Sequence, residues 1–81
     1  MHYYLYILEC SDNTLYTGIT TDIQRRVKEH NSSVKGAKYT RVRRPVKLVY
    51  KEEFADRSSA SKREAEIKKL SRKEKLALIE D

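Results

Sequence analysis

One cysteine, Cys10, is all the thiol chemistry this chain carries. It forms no intramolecular disulfide and offers no cysteine pair at metal-ligand spacing. Such usage suits a reducing, cytoplasmic setting, which is the expectation adopted. Long apolar runs are also lacking: the longest, Tyr3 to Leu8, is far too short to cross a bilayer. Met1-His2-Tyr3-Tyr4 has neither the basic start nor the apolar core of a signal peptide. Internal repeats and low-complexity linkers are missing, and 81 residues leave room for one domain, residues 1–81. With 38% hydrophobic residues the chain can build one core of modest stability. A soluble protein without a membrane partner is expected.

A more telling absence is of acidic residues between Glu29 and Glu52. That interval holds Lys35, Lys38, Arg41, Arg43, Arg44, Lys47 and Lys51, within a chain whose formal net charge is +6. A field of one sign over such a stretch attracts polyanions, of which nucleic acid is the commonest in cells. Tyr39 lies inside the interval, where it can stack on a base or anchor the loop to the core.

Local patterning predicts the order ββαβαα. Tyr3–Glu9 and Leu15–Thr20 are rich in β-forming residues and flank the turn cluster Ser11-Asp12-Asn13-Thr14. With a loop of Ser11-Asp12-Asn13 and Asn13 left-handed, Cys10 faces Thr14, Leu8 faces Tyr16 and Tyr6 faces Gly18. Tyr6 and Tyr16 then share one sheet face, whereas a two-residue loop separates them. Thr21 or Asp22 caps a helix to about residue 31. Residues 32–44 have no clean period and read as a loop or short irregular element. Pro45 introduces a strand over 46–54. Asp56-Arg57-Ser58-Ser59 signals a helix over 60–70, and Ser71-Arg72-Lys73-Glu74 has capping-box form before a last helix over 72–80.

Polar residues on packing faces mark the candidate site. On the first helix, Ile23, Arg26, Val27 and His30 share one face. Arginine's planar fork suits a phosphate, and histidine exchanges a proton near neutral pH. On the later helix, Ala60, Ile67 and Leu70 define the apolar stripe, and Glu64 falls within roughly 60–70° of it, with Glu66 nearer solvent. Arg63 lies on the same side and can snorkel outward. A carboxylate so placed needs a cation, a hydrogen bond or a metal. Tyrosine, arginine, histidine and glutamate on inward positions form a site constellation.

Tyr4-Leu5-Tyr6 followed by Tyr16-Thr17-Gly18, then Arg26, His30 and Glu64, resembles the GIY-YIG nuclease superfamily. That superfamily includes the incision domain of bacterial nucleotide-excision repair and certain homing endonucleases. Leu15–Thr21, Gly36–Arg41 and Arg63–Ser71 are similar to its small stand-alone bacterial members. The resemblance implies an α+β fold with a three-stranded antiparallel sheet flanked by helices. It also implies an endonuclease that hydrolyses phosphodiester bonds, in DNA rather than RNA, with one divalent ion, Mg²⁺ or Mn²⁺. It assigns the metal to Glu64, the scissile phosphate to Arg26, and activation and orientation of the attacking water to Tyr6, Tyr16 and His30. Gly18, lacking a side chain, is expected to let substrate or a neighbouring strand approach closely. Lys35, Lys38, Tyr39, Arg41, Arg43 and Arg44 are the expected nucleic-acid contacts. The sequence departs from the pattern at Tyr4, where the name-giving glycine stands, and in having no asparagine after Glu64. A non-catalytic nucleic-acid-binding module and a protein-docking accessory are the other readings.

Overall fold

The computed structural model describes residues 2–80. Three strands, β1 (Tyr3–Glu9), β2 (Leu15–Thr20) and β3 (Lys47–Phe54), form one antiparallel sheet in the order β2-β1-β3. Helices α1 (Ile23–Ser32), α2 (Lys38–Arg41), α3 (Arg57–Lys68) and α4 (Arg72–Glu80) complete the fold. It is the α+β architecture expected, with α2 as a four-residue addition inside the segment read as irregular. Among the described residues no helix is long and apolar enough to cross a membrane.

The hairpin takes the register that puts both tyrosines on one face. Asn13 adopts φ 67°, and Tyr6 pairs with Gly18 and Leu8 with Tyr16. The Cys10 amide donates to Thr14 O at 2.9 Å and the Asn13 amide to Cys10 O at 2.9 Å, closing the turn. β1 is the central strand, so its side chains are buried on both sides of the sheet. Tyr6, Leu8, Cys10 and Val46 pack with Tyr16 and with Ile23 and Val27 of α1. Leu5 and Ile7 pack on the other face with Ile67 of α3 and Leu78 and Ile79 of α4. The continuous apolar run of β1 is the signature of that double burial. A bulge in β3 falls between the partners of Ile7 and Leu8, leaving Val49 as the extra residue.

Side-chain caps set the helix ends. The Asp22 carboxylate accepts from the Arg25 amide at 3.1 Å, which selects Asp22 over Thr21 as the α1 cap. Asp56 accepts from the Ser59 amide at 2.7 Å, so α3 begins three residues before Ala60 and ends at Lys68 rather than Leu70. Ser71 and Glu74 form the reciprocal capping box, with contacts of 2.9 and 3.2 Å. Arg63 does not simply extend into solvent. Its guanidinium forks onto both carboxylate oxygens of Glu52 at 3.1 and 3.2 Å, fastening α3 to β3.

The far end of α1 is clamped from the segment that follows it. Asn31 donates to Val46 O at 3.0 Å and accepts from the Val46 amide at 2.7 Å, mimicking a strand pairing. Gly36 then passes against the helix backbone, where a Cβ would lie 2.7 Å from Glu29 O and 2.8 Å from His30 Cα. Those atoms are main chain and cannot step aside. Gly36→Ala is therefore expected to destabilise the fold by about 2 kcal/mol. Urea unfolding measures this, and an unchanged midpoint would show that the loop yields without cost.

Candidate catalytic cleft

The cleft is built from β1, β2, α1 and α2, with Glu64 added from α3. Tyr6 and Tyr16 lie on the sheet face covered by α1, their ring centroids 6.5 Å apart. His30 sits one turn beyond Arg26 on that helix and is wholly buried, edge-on to Tyr16 at 5.2 Å. Gly18 makes the arrangement possible by admitting the paired strand. A Cβ there would meet Tyr6 Oη at 2.6 Å and Cζ at 2.8 Å. The space expected for substrate or a neighbouring strand is filled by the Tyr6 ring itself.

A chain of hydrogen bonds runs inward from the cleft. Tyr6 Oη is 2.9 Å from His30 Nε2, His30 Nδ1 is 2.8 Å from Thr40 Oγ1, and Thr40 Oγ1 is 2.9 Å from Ala37 O. Thr40 has one hydroxyl proton. If it goes to Ala37 O, which cannot donate, then Nδ1–H donates to Thr40 and Nε2 accepts from the Tyr6 hydroxyl. That tautomer, assigned from the bonding pattern, makes a hydrogen bond of all three short contacts. The Ala37 amide, 3.3 Å from Nδ1, is the longer and weaker competitor. The Tyr6 proton is thus directed into the protein, and its oxygen faces the field of the neighbouring Arg26 cation. Thr40, fully buried in α2, completes the chain. Sequence reasoning had passed over it. Its one local signal is its place four residues after Gly36, the second of only two glycines.

Electrostatics separate the two titratable members of this chain. Burial pushes the Tyr6 phenol up to about 12; Tyr16 and Glu64 act in the same direction, while Arg26 opposes them. Burial pushes His30 down to about 4, reinforced by the Arg26 and Arg44 cations and opposed by Glu29. His30 is therefore neutral at pH 7, and the proton exchange near neutrality expected of it gives way to an orienting role. Transfer of the Tyr6 proton to His30 lies far uphill.

Arg26 is held at the mouth of the cleft. Its Nη1 donates to Glu29 Oε1 at 3.0 Å and to Lys35 O at 2.8 Å. Burial works against its charge, but the bonds to Glu29 and Tyr6 outweigh it and raise the pKa. Glu64 is 24% exposed and lies 3.3 Å from Lys68 Nζ, the i,i+4 pair that serves it in the absence of another cation. Glu66 is 66% exposed and bonded to Arg63 at 3.1 Å, whereas the charge of Glu64 acts on Tyr6 and raises its pKa. Among the described residues no cluster of three His, Cys, Asp or Glu could hold a metal. A single partly buried carboxylate with an exchangeable lysine partner does not make a zinc cage. It does fit Mg²⁺ or Mn²⁺, which keep several waters and need few protein oxygens.

The basic segment divides into exposed and engaged residues. Lys35, Lys38 and Arg41 are exposed. Arg44 instead caps α1, donating from Nε to His30 O at 2.5 Å and from Nη2 to Ser33 O at 2.6 Å and Glu29 O at 3.3 Å. The free phosphate contact expected of Arg44 is replaced by this helix-capping role, because the last carbonyls of α1 have no partners of their own. Arg43 donates to Tyr39 O at 2.9 Å and places Cζ 3.9 Å over the Tyr39 ring. Its Nε is also 3.1 Å from Asp12 Oδ2, an ion pair without hydrogen-bond geometry. Tyr39 stacks on Tyr16 at 5.9 Å, so the ring anchors the basic loop to the cleft.

A buried neutral histidine leaves a pH signature. Its folded pKa of about 4 lies below the reference of about 6.5, so the unfolded chain binds more protons between those values. Stability is full above pH 6.5 and falls as the pH drops through that window. Between pH 7.5 and 5 the loss from His30 alone is about 2 kcal/mol. Denaturant unfolding at the two pH values checks it, and equal stabilities would mean that His30 is not buried neutral.

Comparison with known proteins agrees with this fold. Residues 2–77 match the GIY-YIG catalytic domain. A UPF0213 protein of Desulfotalea psychrophila is 62% identical over 77 residues, covering 95% of this chain and 70% of its own. One of Staphylococcus haemolyticus is 54% identical over 79 residues, covering 98% and 95%. The solution structure of a UPF0213 protein from Bacillus halodurans aligns with TM-score 0.63 at 50% identity, covering 99% of this chain and 84% of that one. A solution structure from E. faecalis aligns with TM-score 0.68 at 46% identity and the same coverage. The chain belongs to the GIY-YIG family, among the small proteins grouped as UPF0213.

Proposed function

We propose that this protein is a divalent-metal-dependent endonuclease that hydrolyses phosphodiester bonds in DNA. The observation that carries the reading is convergence. Arg26 and a buried neutral histidine of α1 and two phenols of β1 and β2 meet at one cleft, with the Glu64 carboxylate in electrostatic reach. A structural core has no use for that set, because each member costs burial free energy that apolar residues do not. The choice of DNA over RNA follows the superfamily resemblance.

The side chains divide the work. Arg26, fixed through Nη1 by Glu29 and Lys35 O, presents the remainder of its fork to a phosphate oxygen and stabilises charge that builds there. Tyr6 is engaged by His30 and lies beside Arg26, so it serves the arginine rather than the substrate. Tyr16, whose hydroxyl is not drawn into that chain, faces the substrate and positions the attacking water. Glu64 would hold the Mg²⁺ or Mn²⁺ ion, which supplies Lewis-acid stabilisation of the leaving oxygen. Exposed Lys35, Lys38 and Arg41 hold the backbone, and Arg43 with Tyr39 fixes the loop that presents them.

A cleavage assay on single-stranded, duplex and branched DNA and on RNA, with Mg²⁺ or Mn²⁺, tests the proposal. Glu64→Ala, Arg26→Ala and Tyr16→Phe are each expected to lower the cutting rate by about 10²–10³-fold or more. They should leave the fold intact, as read by circular dichroism. Salt-sensitive binding with no cutting by the unmutated protein would show a binding module instead.

A further inference from the structure

We infer that the junction of α3 and α4 is a second contact for the nucleic-acid backbone, continuous with the first around the β1–β2 turn. This rests on the nucleic-acid reading above and extends its footprint to the opposite side of the hairpin. From Lys68 to Lys75 the chain carries Lys68, Lys69, Arg72, Lys73 and Lys75 against one acidic residue, Glu74. That carboxylate is already committed to the α4 capping box. Lys68 pairs with Glu64, but among the described residues Lys69, Arg72, Lys73 and Lys75 have no carboxylate within ion-pair distance. Leu78 and Ile79 dock α4 against the core, and Lys69, Arg72 and Lys73 are exposed. Unpaired cations held at neighbouring positions repel one another, and a polyanion relieves that repulsion.

The position of the patch connects it to the cleft. Arg72 and Lys75 line a shallow groove with Thr14 and Leu15, the residues that lead into Tyr16. From Thr14 the contacts continue to Asp12, then Arg43, Tyr39 and Tyr16. The two basic surfaces are therefore linked through the hairpin turn that leads into Tyr16. The molecule is 30 Å across its longest dimension. At ~3.4 Å per base pair, a duplex needs about nine base pairs to cross such a span and touch both surfaces.

The test compares the unmutated protein with Lys69→Ala/Arg72→Ala/Lys75→Ala on duplexes of 8 and 24 base pairs over a range of salt. Catalytic residues stay intact, and thermal unfolding confirms the fold. On the long duplex the triple variant is expected to bind more weakly and to lose about 2–3 units of the log–log salt slope, one per contact removed. On the short duplex, which reaches only one surface, the difference should shrink. If the unmutated protein binds with strong salt dependence and the variant matches it on both lengths, the second contact is overturned while the nucleic-acid reading stands. If the unmutated protein binds neither duplex, both fall. Loss of binding to anionic phosphatidylglycerol vesicles in the variant, with duplex binding unchanged, would reassign the patch to a lipid surface and overturn the proposal.

Discussion

Everything at the cleft depends on one buried hydrogen-bond chain, from Tyr6 through His30 to Thr40. It ties the central strand to α1 and α1 to α2, three of the elements that form the walls of the site. Its constraint is charge. A histidine with no solvent exposure, flanked by Arg26 and Arg44, remains neutral. A neutral imidazole can donate on one side and accept on the other, which a protonated one cannot. The direction of the chain follows, and with it the division of labour between the phenols. Tyr6 is turned inward and serves Arg26, while Tyr16 remains at the surface of the cleft.

The same logic explains the placement of the charged groups. Arginines that approach the site from the basic segment are either exposed or spent on backbone carbonyls, as Arg44 is at the end of α1. Glu29 balances Arg26, so the guanidinium can be held beside a buried histidine without leaving an isolated charge. Glu64 comes from the opposite side of the sheet, and among the described residues its ion-pair partner is the exposed Lys68. An exposed pair of this kind contributes little to stability, and a divalent ion can displace the lysine readily.

Much of this was legible in the sequence because it is periodic. Asn13 fixed the hairpin register, and with it the shared face of Tyr6 and Tyr16. The wheel of α1 brought Arg26 and His30 together, and the wheel of α3 favoured Glu64 over Glu66. Caps at Asp22, Asp56 and Ser71 were readable because a helix start leaves amides that need nearby acceptors. Thr40, Gly36 and Arg44 were not legible as site-builders. Each acts on α1 across ten or more residues or against its backbone, and a four-residue helix is too short to carry a periodic signal. Gly18 was singled out as a place of close approach, and of the two neighbours it could admit it takes the paired strand, through the Tyr6 ring.

The central claim is that Glu64 shares one divalent-ion site with the tyrosine cleft. Paramagnetic broadening by Mn²⁺ in the amide spectrum of the isotope-labelled protein tests it most directly. The account predicts the strongest broadening at Glu64, Tyr6 and Tyr16 to Gly18, lost in Glu64→Ala. Broadening centred on another carboxylate, such as Asp12 or Asp56, and unchanged in that variant would contradict it.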